Sequence, residues 1–277
     1  MSTFTNGLLE VTPALPGLDQ SIVIPPRRLH LTLGVMSLED SDDSNIAFDG
    51  QASDSRKTIS AALSLLTSLR PRISELLCGS PLKVPLHMMN IMPPDGGDPA
   101  KAHVLWFGPP HENEDAKLLQ KVGGEWQSCN NSFRFTDNML EMVSKTFVDA
   151  GFITELRPLK VRFVLCTILL TRHESVLHQL HCTILNTTYR KPRARGPRQP
   201  FSYRSLLASA AAQAVLLEPD AEPGWQQPVN VDFGTWHVDE IQICKMGSYG
   251  PEGEYETCGG LLVSGPQPSE ALGITCT

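Results

Sequence analysis

Two runs of the chain alternate apolar and polar residues with the period of a strand: Leu29-His30-Leu31-Thr32-Leu33 and Leu180-His181-Cys182-Thr183-Ile184. A period of two puts the His and the Thr of each run on one face. Short β-rich segments are expected at Ser21–Ile24 and Leu29–Met36, separated by the turn pair Pro25-Pro26. Ile59, Leu63, Leu66, Leu69 and Ile73 recur at spacings of three and four, which predicts an amphipathic helix over Arg56–Leu77. Pro71 lies inside it and should kink or end it.

Further strands are expected at Leu82–Met92, Ala102–Phe107, Val161–Leu170 and Leu180–Thr187, with strand signals again over Val229–Met246. Helices are expected at Met139–Ala150 and in the Ala/Leu-rich Ser205–Leu217. Val122–Asn138 reads as loop, the start before Ser21 as irregular, and the end beyond Gly250 as rich in turns. The order has antiparallel-looking neighbours and no βαβ alternation, so the fold class is α+β.

Composition narrows the function without naming it. A formal charge of −7 argues against a broad basic face gripping many duplex phosphates, and leaves room for a small anion site. The seven cysteines are an odd, scattered set with no Cys-x-x-Cys pair, which reads as reduced thiols in the cytoplasm or nucleus. No basic leader precedes an apolar core at the N-terminus and no apolar run is long enough to cross a bilayer, so no membrane partner is expected.

The chemistry concentrates in the paired runs. Imidazole titrates near neutrality, so of His30 and His181 one can take a proton from an attacking oxygen while the other protonates the leaving oxygen of a phosphodiester. The hydroxyls of Thr32 and Thr183 can donate to the non-bridging oxygens, and no metal or cofactor is needed. Taken singly, either histidine fits a satisfied, half-buried strand residue as well as a catalyst. With eight histidines one chance His-x-Thr/Ser is expected, and His173-Glu174-Ser175, in polar surroundings, reads as that one.

Pro26 to Met36 and Leu180 to Thr187 together resemble the paired His-x-Thr motifs of the two-histidine (2H) phosphoesterase superfamily, in particular its A-kinase anchor protein 7-like phosphoesterase domain. Ala102 to Trp106, Phe147 to Phe152 and Val238 to Gly247 also resemble segments of that domain. The resemblance implies a bilobal, pseudo-two-fold α+β fold, its antiparallel sheets flanking a central cleft to which each lobe gives one His-x-Thr strand. It implies a metal-independent phosphodiesterase acting on a 2′,3′-cyclic, 2′-5′ or 3′-5′ nucleotide or RNA-end linkage. The same domain occurs in a transcription-coactivator subunit, and the alternative is a catalytically impaired nucleotide- or RNA-binding module in a transcription or RNA-processing complex.

A single domain is expected over 1–264 with a flexible tail over 265–277. The resemblance would place a strand and a long helix ahead of Pro16-Gly17-Leu18-Asp19, of which at most the tail of the helix fits Met1–Leu15. It would also run directly from Lys160 into Leu180, so 161–179 is expected to be an insertion.

Other constellations carry less. His178 and His181 lack a nearby carboxylate cluster and are not read as a metal site. Cys182, between His181 and Thr183, is expected to point away from the cleft as a core thiol. Trp236 and His237 are expected to be packing residues, with one of them lining the cleft as the alternative. The basic run Arg190–Arg198 reads as a solvated, flexible loop, with attraction of a polyanion or nuclear targeting as the alternatives.

Overall fold

The structure, a computed structural model, describes residues 1–39, 57–77, 82–109, 139–140, 142–153, 163–165, 181–193, 195–218 and 225–263. The expected loop 122–138, His173, His178, most of 161–179 and the tail 265–277 lie outside them.

The architecture is α+β, and its named strands all pair antiparallel. A first four-stranded sheet is built from β1 (Gly34–Met36), β5 (Phe163–Leu165), β9 (Glu240–Tyr249) and β10 (Tyr255–Leu262), in that order. A second has the order β6 (Cys182–Asn186), β4 (Val104–Gly108), β3 (Met88–Ile91) and β7 (Val229–Asn230). Between them in sequence, β2 (Leu82–Pro85) pairs with β8 (Thr235–Val238) as a separate ribbon. The described part of the expected insertion, Phe163–Leu165, pairs with β1 on one side and β9 on the other.

Each large sheet has its own apolar cluster. Leu33, Met36, Leu66, Ile73, Phe147, Ile241 and Ile243 belong to one, against the helices that follow β1. Phe4, Ile22, Phe107, Ile184, Leu185 and Tyr203 belong to the other. Leu31 packs against both, as does Val238.

Several expectations are corrected. The helix expected over Arg56–Leu77 is two, α2 (Ile59–Ser68) and α3 (Arg70–Leu77), with Leu69 as the break and Thr58 capping the first through its side chain. Pro71 sits in the first turn of α3, where its missing N–H costs no helical bond. The irregular start is instead α1 (Ser2–Leu9), whose Phe4 ring meets those of Phe107 and Phe233 edge-on. Leu82–Met92 is not one strand: the chain changes sheets at Leu86-His87. Residues 142–149 form α4.

Ser205–Leu217 divides into α5 (Tyr203–Leu207) and α6 (Ala210–Gln213), because the Ser209 hydroxyl donates to the Leu206 carbonyl and accepts from the Ala212 N–H. The expected turns beyond Gly250 give way to an eight-residue strand, β10. Its Gly259 takes φ 134° at a register shift, the conformation a bulge demands and a glycine tolerates. Ser21–Ile24 is largely a single 3-10 turn, with Val23 pairing to Leu185.

Arg190 ties the loop after β6 to the N-terminal segment. Its guanidinium pairs with Asp19 and donates to the carbonyls of Gly17 and Gln199, so this member of the basic run is a tether rather than a solvated loop residue. Gly17 itself has φ 73°, and a Cβ there would lie 1.9 Å from the Pro200 carbonyl oxygen. Gly17→Ala is therefore expected to cost about 2 kcal/mol or more, through left-handed strain plus a backbone displacement. Urea unfolding of the two proteins checks it; an unchanged midpoint would show that the loop yields freely.

Candidate functional site

The first motif is positioned by a proline turn. Pro26–Arg28 is one turn of 3-10 helix with proline at its first positions, and the chain leaves it extended at Leu29. Upstream, Ile24 N–H donates to the Ile184 carbonyl at 2.8 Å, and downstream Leu31 pairs antiparallel with Cys182. The proline turn thus takes up the slack between two points of attachment along the free edge of β6.

That pairing brings the two motifs together. With Leu31 opposite Cys182, the antiparallel register sets His30 across from Thr183 and Thr32 across from His181. In a regular antiparallel ladder these four positions would fall on one face and Leu31 and Cys182 on the other. Trp106 pairs with Thr183 from the opposite side, and its ring centroid lies 6.1 Å from that of His181. Neither histidine is inside a named strand: His30 precedes β1, and His181 immediately precedes β6.

The His30 ring has a defined proton. Its Nδ1 lies 2.8 Å from the Arg28 carbonyl oxygen, which can only accept, so Nδ1 carries the hydrogen and Nε2 of the neutral ring is left as an acceptor. Burial holds the ring's pKa below the ordinary histidine value, and the bond to Arg28 opposes that shift. The Tyr255 ring stands edge-on to it at 5.1 Å.

A cavity of about 690 Å³ opens beside this arrangement. His30 is in its wall; Thr32, His181 and Thr183 are not. Leu31, Leu33 and Cys182 are in the wall too. Cys182 is therefore not turned away from the open space as expected. It is still no nucleophile, since burial pushes its thiol up to about 12. Trp236 and His237 also border the cavity, and Trp236 is 42% exposed rather than packed, its indole N–H donating to the Phe233 carbonyl.

Sequence patterning missed the surroundings of His30. Arg28 lies over the rings of Tyr189 and Tyr249, 5.3 and 4.8 Å from their centroids, and the hydroxyls of Tyr189 and Tyr255 are 3.4 Å apart. These three of the chain's four tyrosines come from the turn after β6, the end of β9 and the start of β10, so no local periodicity announces them. His103 proves to be a strut. Its Nε2 bonds the Asp95 carboxylate at 2.9 Å and its Nδ1 the buried Thr187 hydroxyl at 2.8 Å, and the His103 bond holds the Asp95 carboxyl below its usual range.

Among the described residues no group of three His, Cys, Asp or Glu side chains is placed to hold a metal ion, and no helix is long and apolar enough to cross a membrane. A family model described as AKAP7 2'5' RNA ligase-like domain matches residues 2–263. No curated protein matches the chain.

The state of His30 makes stability depend on pH in a stated direction. A ring whose pKa is lower folded than unfolded contributes stability that is full above the unfolded value, near 6.5, and is lost as pH falls through the folded value. Urea unfolding between about pH 7.5 and about pH 5 should show that loss, reduced in His30→Gln. An identical acid dependence in both proteins would mean that His30 is not held neutral by the fold.

Proposed function

Because the chain belongs to the AKAP7 2'5' RNA ligase-like domain family of the 2H phosphoesterase superfamily, we propose that it is a metal-independent phosphodiesterase acting on a nucleotide or RNA-end linkage of the 2′,3′-cyclic, 2′-5′ or 3′-5′ kind. The observation that carries this reading is the Leu31–Cys182 pairing, which sets two His-x-Thr segments from distant parts of the chain side by side. In this reading the two sheets with their separate apolar clusters are the two lobes, each supplying one motif.

His30 is the general base. Its Nδ1–H is committed to the Arg28 carbonyl, so Nε2 is free to take the proton of an attacking water, and burial keeps the ring neutral and ready to accept it. His181 donates a proton to the leaving oxygen as its bond to phosphorus breaks. Thr32 and Thr183 donate to the non-bridging oxygens, where charge builds in the transition state.

One observation favours a second reading, a nucleotide- or RNA-binding module within a transcription or RNA-processing complex: the cavity wall includes His30 without His181. A module of that kind would bind the same ligands and turn none over.

Replacing either His30 or His181 with Ala is expected to lower turnover by about 10²- to 10⁴-fold, and the double variant to be little worse than the worse single one. Assays over a panel of cyclic nucleotides and short oligonucleotides, run with a chelator, check this. Activity that needs an added divalent metal would end the proposal. The acid limb of kcat/KM should fall below the ordinary histidine pKa of 6.5, and disappear with His30→Ala if residual turnover is measurable.

A further inference from the structure

We infer that Arg28, held against the rings of Tyr189 and Tyr249 beside His30, is an anion site that receives a second phosphate of the ligand, one linkage away from the phosphodiester at the histidines. The inference rests on the phosphodiester reading for the identity of the ligand, and on geometry for the site.

Three observations converge on it. First, Arg28 is a cation without a counter-charge: among the described residues no carboxylate pairs with it. Of the acidic groups nearby, Glu252 pairs with Arg27, while Glu254 accepts from the Glu252 N–H and Glu240 from Gln242. Second, its bonding capacity is unmet. The partners it has are two ring faces and the Tyr249 hydroxyl, while its enclosed Nε–H has no acceptor. Third, it is placed for a ligand: Arg28, His30 and Tyr255 share the wall of one cavity.

The tyrosines fit the same purpose. Stacked rings hold the guanidinium plane without neutralising it, so it keeps a full charge and a planar fork suited to two phosphate oxygens. Burial raises the Tyr189 and Tyr249 hydroxyls above their ordinary pKa, so they remain protonated and able to donate. The alternative, that Arg28 is only a structural brace, leaves its unmet donor and missing counter-ion without cause.

Binding separates these. The ligands are the dinucleotide ApA ending in a 2′,3′-cyclic phosphate, whose cyclic diester is the group for the histidines and whose internal linkage is the second phosphate, and the same molecule with a neutral methylphosphonate in the internal linkage. Calorimetric titration is done on the full chain carrying His181→Ala, so that neither ligand is consumed. The charged linkage is expected to bind about tenfold more tightly, as charge-assisted bonds to one phosphate provide. Arg28→Gln should bring the two affinities within about twofold, with the methylphosphonate ligand bound as before. Arg28→Lys keeps the charge without the fork and should leave a ratio of about threefold, which gives a readout if the glutamine variant does not fold.

Equal affinity for the two ligands, or a preference that survives both substitutions, would overturn the anion site. A preference that depends on Arg28, in a chain whose wild type hydrolyses nothing in the panel, leaves the anion site standing and removes the phosphodiesterase reading. Hydrolysis that depends on both histidines, with equal affinity for the two ligands, does the reverse.

Discussion

The pairing of Leu31 with Cys182 is the constraint on which the candidate site depends. With the Val23–Leu185 pairing and the Ile24–Ile184 bond it joins segments far apart in the chain, and closing so long a loop costs entropy that a few backbone bonds do not offset. What holds it is apolar burial on its reverse side. Leu31 packs against both apolar clusters, and Cys182 and Ile184 are buried in one of them. The register is thus fixed by apolar burial: a slip of one residue along β6 would turn His181 and Thr183 toward the core.

Arg28 links the chemistry of that face to its surroundings. Its carbonyl sets the proton on His30 Nδ1, and its side chain spans Tyr189 and Tyr249. The residue is held at the end of a proline turn whose own ends are tied to β6, which fixes the position of its carbonyl. The turn after β6 is braced in the same way, by His103 on Thr187 and by Arg190 on Asp19 and Gly17. Both motifs therefore sit on backbone secured on either side, as a site needing sub-ångström placement requires.

What the sequence made legible were features of local period. The spacing from Ile59 to Ile73 predicted the helical region, with its break displaced only from Pro71 to Leu69. What it hid depends on partners distant in the chain. Gly259 and Gly260 look like turn residues, yet β9 supplies the hydrogen bonds that make Tyr255–Leu262 a strand. Leu82–Met92 keeps one apolar character while its halves join different sheets. The tyrosines meet only when β6, β9 and β10 are assembled. The expectation that 161–179 is an insertion rests on continuity from Lys160 to Leu180, which is a matter of sequence; the backbone adds only that Phe163–Leu165 pairs with β1 and β9.

The burial that keeps His30 neutral also governs how it would respond to a ligand. Coulomb energies grow as the surroundings exclude water, so a charge near this ring counts for more than one at the open surface. Unliganded, the loss of solvent disfavours a proton on the ring. An anionic phosphate in front of the ring would oppose that and favour the imidazolium. The ring would then be a weak base in the empty site and a stronger one when the anionic ligand is in place. Basicity would appear where an attacking water has a proton to give up, in a site whose histidine is otherwise kept neutral by the fold.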